Sequence, residues 1–185
     1  MKKVILMLAA LLMVGIVTAQ VRQINIKKST ITWTGKKVTG EHVGSLNFKS
    51  GSLSFKNKKL NGGSFVVDMT TLSNTDQTGK GKEKLEGHLK SADFFATDDF
   101  KTASMAFKTI KDKGKGTYTI GADLTIKGKT NPVTFDLVTK GKTATANLTI
   151  DRTKYGIQYG SGSFFDDLGD RTIYDEFELS VRLSY

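Results

Sequence analysis

The sequence predicts an all-β domain, an antiparallel sandwich or up-and-down barrel interrupted by one short helix. Three features carry that prediction. Apolar and polar side chains alternate in many short stretches, as strands with one dry and one wet face require. Glycine-bearing turns separate those stretches. One segment, residues 72–100, loses the alternation.

The first element in chain order is an address label. Residues 1–19 carry Lys2 and Lys3, then the uncharged apolar run Val4 to Val17, then Val17-Thr18-Ala19. Together these read as a secretory signal cleaved after Ala19. The rival reading is a membrane anchor, but the run is shorter than the roughly 20 apolar residues that span a bilayer. The remaining residues, 20–185, form one domain. The chain has no Cys, which removes disulfides, thiolate metal sites and cysteine nucleophiles. A domain of this size buries about 70% of its unfolded surface and needs no staple.

Short alternations follow at Ile31/Trp33, Leu46/Phe48, Leu53/Phe55, Phe65/Val67/Met69 and Met105/Phe107. The clearest runs from Tyr118 to Ile126, followed by Val133/Phe135/Leu137, Ala144 to Ile150 and Phe177 to Leu183. Turns are expected at Lys49-Ser50-Gly51, Asn61-Gly62-Gly63, Lys113 to Gly116, Lys127-Gly128-Lys129 and Lys140-Gly141-Lys142. Strands joined by such short turns run antiparallel, and consecutive hairpins favour an up-and-down barrel. Within the break, Leu85, His88 and Leu89 fall at helical spacing, predicting a short helix near residues 82–91 weakened by Gly87. With Phe94, Phe95 and Phe100 it reads either as a lid at a barrel mouth or as a crossover packed outside.

Motifs that fail narrow the function. Gly128-Lys129-Thr130 and Gly141-Lys142-Thr143 lack the upstream glycine of a phosphate loop, having Asp123 and Asp136 instead. Neither a Gly-x-Ser-x-Gly elbow nor a dinucleotide fingerprint occurs. Asp166, Asp167, Asp170, Asp175 and Glu176 lack calcium-loop spacing and read as a solvated loop, with Asp175 pairing to Arg152 or Arg171. Two His residues, each near a Glu, give only a sparse basis for a zinc site, so neither metal nor cofactor is expected. The formal charge of +10 is spread over turns without interleaved aromatics, which argues against nucleic acid. In an exported chain, a basic surface serves solubility or peripheral contact with an anionic membrane.

Several blocks together resemble the YceI-like family. They are Trp33-x8-His42-x-Gly44-x-Leu46-x-Phe48, His88-Leu89-Lys90-Ser91-Ala92-Asp93-Phe94-Phe95, and Gly121-Ala122-Asp123-Leu124-Thr125-Ile126-Lys127-Gly128-Lys129-Thr130. Ile150-Asp151-Arg152-Thr153-Lys154-Tyr155-Gly156-Ile157 and Asp175-Glu176-Phe177-Glu178-Leu179 complete them. One departure is Phe100-Lys101, where the family often has an aromatic–Pro pair. The resemblance implies an eight-stranded antiparallel, lipocalin-like barrel, exported to the periplasm or beyond. Its elongated apolar interior would hold a polyisoprenoid or another amphiphilic lipid. An eight-stranded barrel is wide enough for packed side chains or one small ligand.

The candidate polar end comprises His42, His88 and Arg152. A neutral imidazole donates one hydrogen bond and accepts another. Arg152 could hold a phosphate or ligand carbonyl, or bridge to Asp151, Asp93 or Asp175. Trp33, Phe48, Phe94, Phe95, Phe107, Phe135, Phe164 and Phe165 are candidates for the pocket wall or for plain core packing. Three functions stay open: a non-catalytic lipid carrier, an enzyme using His42 and His88 as acid/base groups, and a surface module using its basic exterior. The carrier leads. Monomer and homodimer both remain open.

Overall fold

The computed structural model describes residues 19–185; the expected leader, up to residue 18, lies outside the described residues. The elements are β1 (Gln20–Gln23), β2 (Thr30–Lys37), β3 (Gly40–Lys56), β4 (Lys59–Asn74), α1 (Gly79–Lys90) and β5 (Thr102–Gly114). Then come β6 (Thr117–Ile126), β7 (Lys129–Lys140), β8 (Thr143–Asp151) and β9 (Ile173–Ser184). Two single turns of 3-10 helix, Arg152–Tyr155 and Gly169–Arg171, lie between β8 and β9.

Strands β2 to β9 pair antiparallel in chain order, and β9 pairs back onto β2. This is a closed, eight-stranded up-and-down barrel, as expected. The sequence did not show β1, a short extra strand alongside the second half of β3.

Closure gives the barrel two distinct ends. The β2–β3 turn, α1, the β6–β7 turn and residues 152–172 lie at one end, called here the mouth. The β3–β4, β5–β6 and β7–β8 turns lie at the other, the closed end. At the tight turns, Asn57-Lys58, Lys115-Gly116 and Lys127-Gly128 all have positive φ at both positions, as two-residue hairpins of matching twist require.

Two expected turns are corrected. Lys49-Ser50-Gly51 lies inside β3 and Asn61-Gly62-Gly63 inside β4, each near a register shift. The Leu46/Phe48 and Leu53/Phe55 stretches are therefore one bulged, 17-residue strand. Gly51 and Gly63 serve close approach instead of turning the chain. A Cβ on Gly51 would lie 2.5 Å from the Phe65 ring, and one on Gly63 2.7 Å from the Phe107 ring. Those rings belong to a chain that crosses the interior: Phe48–Phe65 at 6.1 Å, Phe65–Phe107 at 5.6 Å and Phe107–Phe135 at 6.0 Å. Together with buried Leu53, Ile120 and Leu137, they pack the closed half solid.

The helix begins three residues earlier than the repeat suggested. None of its residues is fully buried. It is tied to β4 through Glu86, whose carboxylate accepts from Ser73 Oγ at 2.9 Å and the Asn74 amide at 2.8 Å. Leu85, His88 and Leu89 form part of the cavity wall, so α1 is a lid over the mouth.

Candidate functional site

The mouth half of the barrel encloses a cavity of about 270 Å³. Its wall is almost wholly apolar. β2 supplies Ile31 and Trp33, β4 supplies Val67, Met69 and Leu72, β6 supplies Leu124 and Ile126, and β9 supplies Phe177 and Leu179. Leu85 and Leu89 close it from α1, and Phe94 and Phe95 from the turn after α1. Phe95 packs edge-on against both Phe94 (5.5 Å) and Phe177 (6.3 Å), bracing that turn on the barrel.

Trp33 sits opposite Gly44 in the β2–β3 ladder. Its indole lies so close over Gly44 that a Cβ there would stand 2.3 Å from the ring and 2.0 Å from the Ser73 carbonyl. The side chain is only 8% exposed, and Nε1 is buried without a hydrogen-bond partner. His88 Nε2 is likewise buried and unpartnered. Its ring stacks edge-on against Tyr159 at 4.4 Å and Phe94 at 5.5 Å. Leaving such a group unpaired costs about 1–3 kcal/mol. Both residues line the cavity.

His42 reaches the cavity from the start of β3. Its Nδ1 is 2.9 Å from Asp76 Oδ2, and Asp76 also accepts from the Val43 amide at 2.7 Å and from Asn74. Burial pushes the Asp76 carboxyl up. The hydrogen bonds from His42, Val43 and Asn74 outweigh it and hold the group at about 2. Facing a carboxylate, Nδ1 is assigned the proton, which leaves Nε2 of a neutral ring as an acceptor.

Arg152 lines the cavity, yet its polar atoms turn away toward the chain. It is 2% exposed. Nε donates to the Tyr174 carbonyl at 3.1 Å, Nη1 to the Ile157 carbonyl at 2.9 Å and Nη2 to the Ile173 carbonyl at 2.9 Å. Asp175 lies 3.5 Å away, and the guanidinium stacks over Phe94 at 5.5 Å. This arrangement realises the bridge to Asp175 considered for this residue, and it adds the backbone of residues 157–174. Burial raises the Asp175 carboxyl, but hydrogen bonds from Ser161 and Ser163 and the Arg152 charge bring it below the usual range.

The structure thus gathers Trp33, His42, His88, Phe94, Phe95 and Arg152 around one cavity. Phe48, Phe107 and Phe135 lie in the packed closed half, and Phe164 and Phe165 stand about half exposed in the segment between β8 and β9, outside the wall. Sequence reasoning missed Asp76, which lies 34 residues from His42 and belongs to no motif. Met69, Leu124, Ile126, Phe177 and Leu179 were visible as strand faces, but only closure shows that their halves border the cavity.

A family model described as a YceI-like domain matches residues 23–185. A protein of Shewanella denitrificans called a UPF0312 protein is 33% identical over 100 residues, covering 54% of this chain and 50% of that protein. A UPF0312 protein of Staphylococcus aureus is 39% identical over 88 residues, covering 42% and 48%. The chain thus spans about half the length of the curated relatives it matches. The crystal structure of Burkholderia cenocepacia BcnA superposes with a TM-score of 0.70 at 21% identity, covering 88% of this chain and 99% of that one. A structure described as a polyisoprenoid binding domain from Saccharophagus degradans gives 0.58 at 12% identity, covering 90% and 97%. At such identities the likeness concerns the fold.

Proposed function

The chain belongs to the YceI-like family, and on that premise we propose that it is a non-catalytic carrier of a long-chain amphiphilic lipid. The cargo is a polyisoprenoid, a quinone or a fatty-acid derivative, held in the barrel cavity in the cell envelope. The observation that carries this reading is an apolar cavity lined by two residues, Trp33 and His88, that each keep a buried nitrogen without a partner. The description of the Saccharophagus degradans domain supports the polyisoprenoid class, and the leader-like start supports export.

The energetics fit. Each methylene taken from water contributes about 0.8 kcal/mol, so an alkyl or prenyl chain binds without specific hydrogen bonds. An oxygen on the cargo placed at Trp33 Nε1 would also relieve an unpaired donor. The cavity lies just under the ~300–1,000 Å³ usual for small-molecule sites. A long chain therefore enters only with α1 displaced or with part of its length left outside the mouth.

The test is native mass spectrometry of the protein purified from its own host, followed by lipid extraction from the same sample. A stoichiometric adduct of prenyl, quinone or fatty-acid mass is expected. Protein that is clean and also refuses added lipids overturns the reading.

One observation favours a second reading. The His42–Asp76 pair has the parts of an oriented general base facing an apolar pocket. If it acts as one, an H42Q variant accumulates an unconverted lipid that the parent alters. Recovery of the same lipid species from both proteins refutes catalysis.

A further inference from the structure

The two ends of the barrel differ in charge as well as in packing. Every hairpin at the closed end carries exposed lysines. Lys56, Lys58 and Lys59 flank the β3–β4 turn, Lys111, Lys113 and Lys115 the β5–β6 turn, and Lys140 and Lys142 the β7–β8 turn. Among the described residues only two of these find a carboxylate: Lys59 with Asp112 at 2.9 Å, and Lys113 with Asp136 at 2.7 Å. The other six are unpaired, and strand closure sets their three turns around one rim.

The mouth end is different. Its lysines mix with Glu41, Asp76, Glu83 and Glu86, and the segment beside β9 carries Asp166, Asp167 and Asp170. The exposed aromatic rings among the described residues, Phe100, Tyr159, Phe164, Phe165 and Tyr174, also belong to this end. The basic charge and the aromatic surface are thus at opposite ends of the barrel.

We propose that the closed end is an electrostatic docking face for an anionic phospholipid bilayer, which holds the barrel with its mouth turned away from the membrane. Charge complementarity is the first argument: a ring of unpaired lysines is attracted to an anionic leaflet within a Debye length. Placement is the second. The turns that carry these lysines lie at the packed end, opposite the cavity, so docking there leaves the mouth free. A bilayer is favoured over single-stranded nucleic acid because, among the described residues, the closed end offers no exposed aromatic ring for base stacking. Cargo exchange would then occur on the aqueous side or with a partner. The inference does not depend on the cargo, so it can fail while the carrier reading stands.

The experiment uses the chain from residue 20 with vesicles of phosphatidylglycerol mixed into phosphatidylcholine, and of phosphatidylcholine alone. Co-sedimentation with the anionic vesicles is expected, with release in about 0.5 M salt. A lysine at an anionic leaflet contributes roughly fivefold to partitioning. The K56Q/K111Q/K140Q/K142Q variant should therefore bind at least 100-fold more weakly, with an unchanged circular dichroism melt. Because the chain lacks Cys, single K58C and F164C variants can each carry a polarity-sensitive dye, and only the first should shift to the blue on vesicles.

Equal binding to the neutral vesicles, full binding by the quadruple variant, or a shift confined to F164C would overturn the proposal. So would a parent protein that ignores vesicles and binds heparin, which would make the closed end a polyanion site.

Discussion

Replacing Arg152 by Met tests whether this buried cation clamps the chain or grips the cargo. Its guanidinium makes three bonds of 2.9–3.1 Å to the carbonyls of Ile157, Ile173 and Tyr174, with Asp175 at 3.5 Å. A hydrogen bond to a charged group contributes about 1.5–3 kcal/mol, and the three together exceed that. The desolvation of a cation that is 2% exposed offsets part of the gain. Removing one partner of a buried charged network leaves the others unpaired, so a loss of about 3–5 kcal/mol is expected. For a domain of this size each kcal/mol moves Tm by about 2–4 °C, so the melt should fall by about 10 °C. R152K should recover only part, because one ammonium cannot span three carbonyls held in a fork. Urea unfolding measures the loss. Native mass spectrometry at low temperature, where the variant is folded, should show cargo in the parent's stoichiometry. A loss below about 1 kcal/mol, or cargo lost without stability, would refute the clamp.

Two more expectations follow from single positions. G44A sets a methyl 2.0 Å from the Ser73 carbonyl and 2.3 Å from the Trp33 ring. Backbone cannot give as a flexible side chain can, so at least about 2 kcal/mol should be lost in urea unfolding, and a loss under 0.5 would contradict the close approach. Acid should weaken the fold through Asp76. Its carboxyl is held at about 2 against an ordinary 3.8, so its contribution is present above pH 3.8 and disappears as pH falls toward 2. Because Asp76 is about one-third exposed, solvent screening limits that contribution to about 1 kcal/mol. Unfolding at stepped pH should show D76N with a flatter acid limb across this window, and an identical limb would count against the hydrogen-bonded carboxylate.

The sequence by itself determined the strand content and the three hairpins at Lys113 to Gly116, Lys127 to Lys129 and Lys140 to Lys142. A period of two, with glycine between stretches, leaves one dry face per strand, and that face has to be buried. It also marked Trp33, His42, His88, Phe94, Phe95 and Arg152, which the fold brings to one cavity. Glycine was the ambiguous signal. Gly116 and Gly128 turn the chain at positive φ, whereas Gly51 and Gly63 make room for the Phe65 and Phe107 rings, and a residue code alone does not separate the two uses.

Only the tertiary structure decided which apolar residues enclose space. Phe107 and Phe177 look alike in sequence, each on an alternating strand. Closure places Phe107 in a stacked row that fills one half and Phe177 beside the cavity in the other. It also joined His42 to Asp76 across 34 positions and turned Arg152 onto backbone carbonyls. The physical reason is that alternation fixes only which face of a strand is dry. Whether the space behind that face is filled depends on the side chains arriving from the other strands, which are distant in sequence and meet only when the barrel closes.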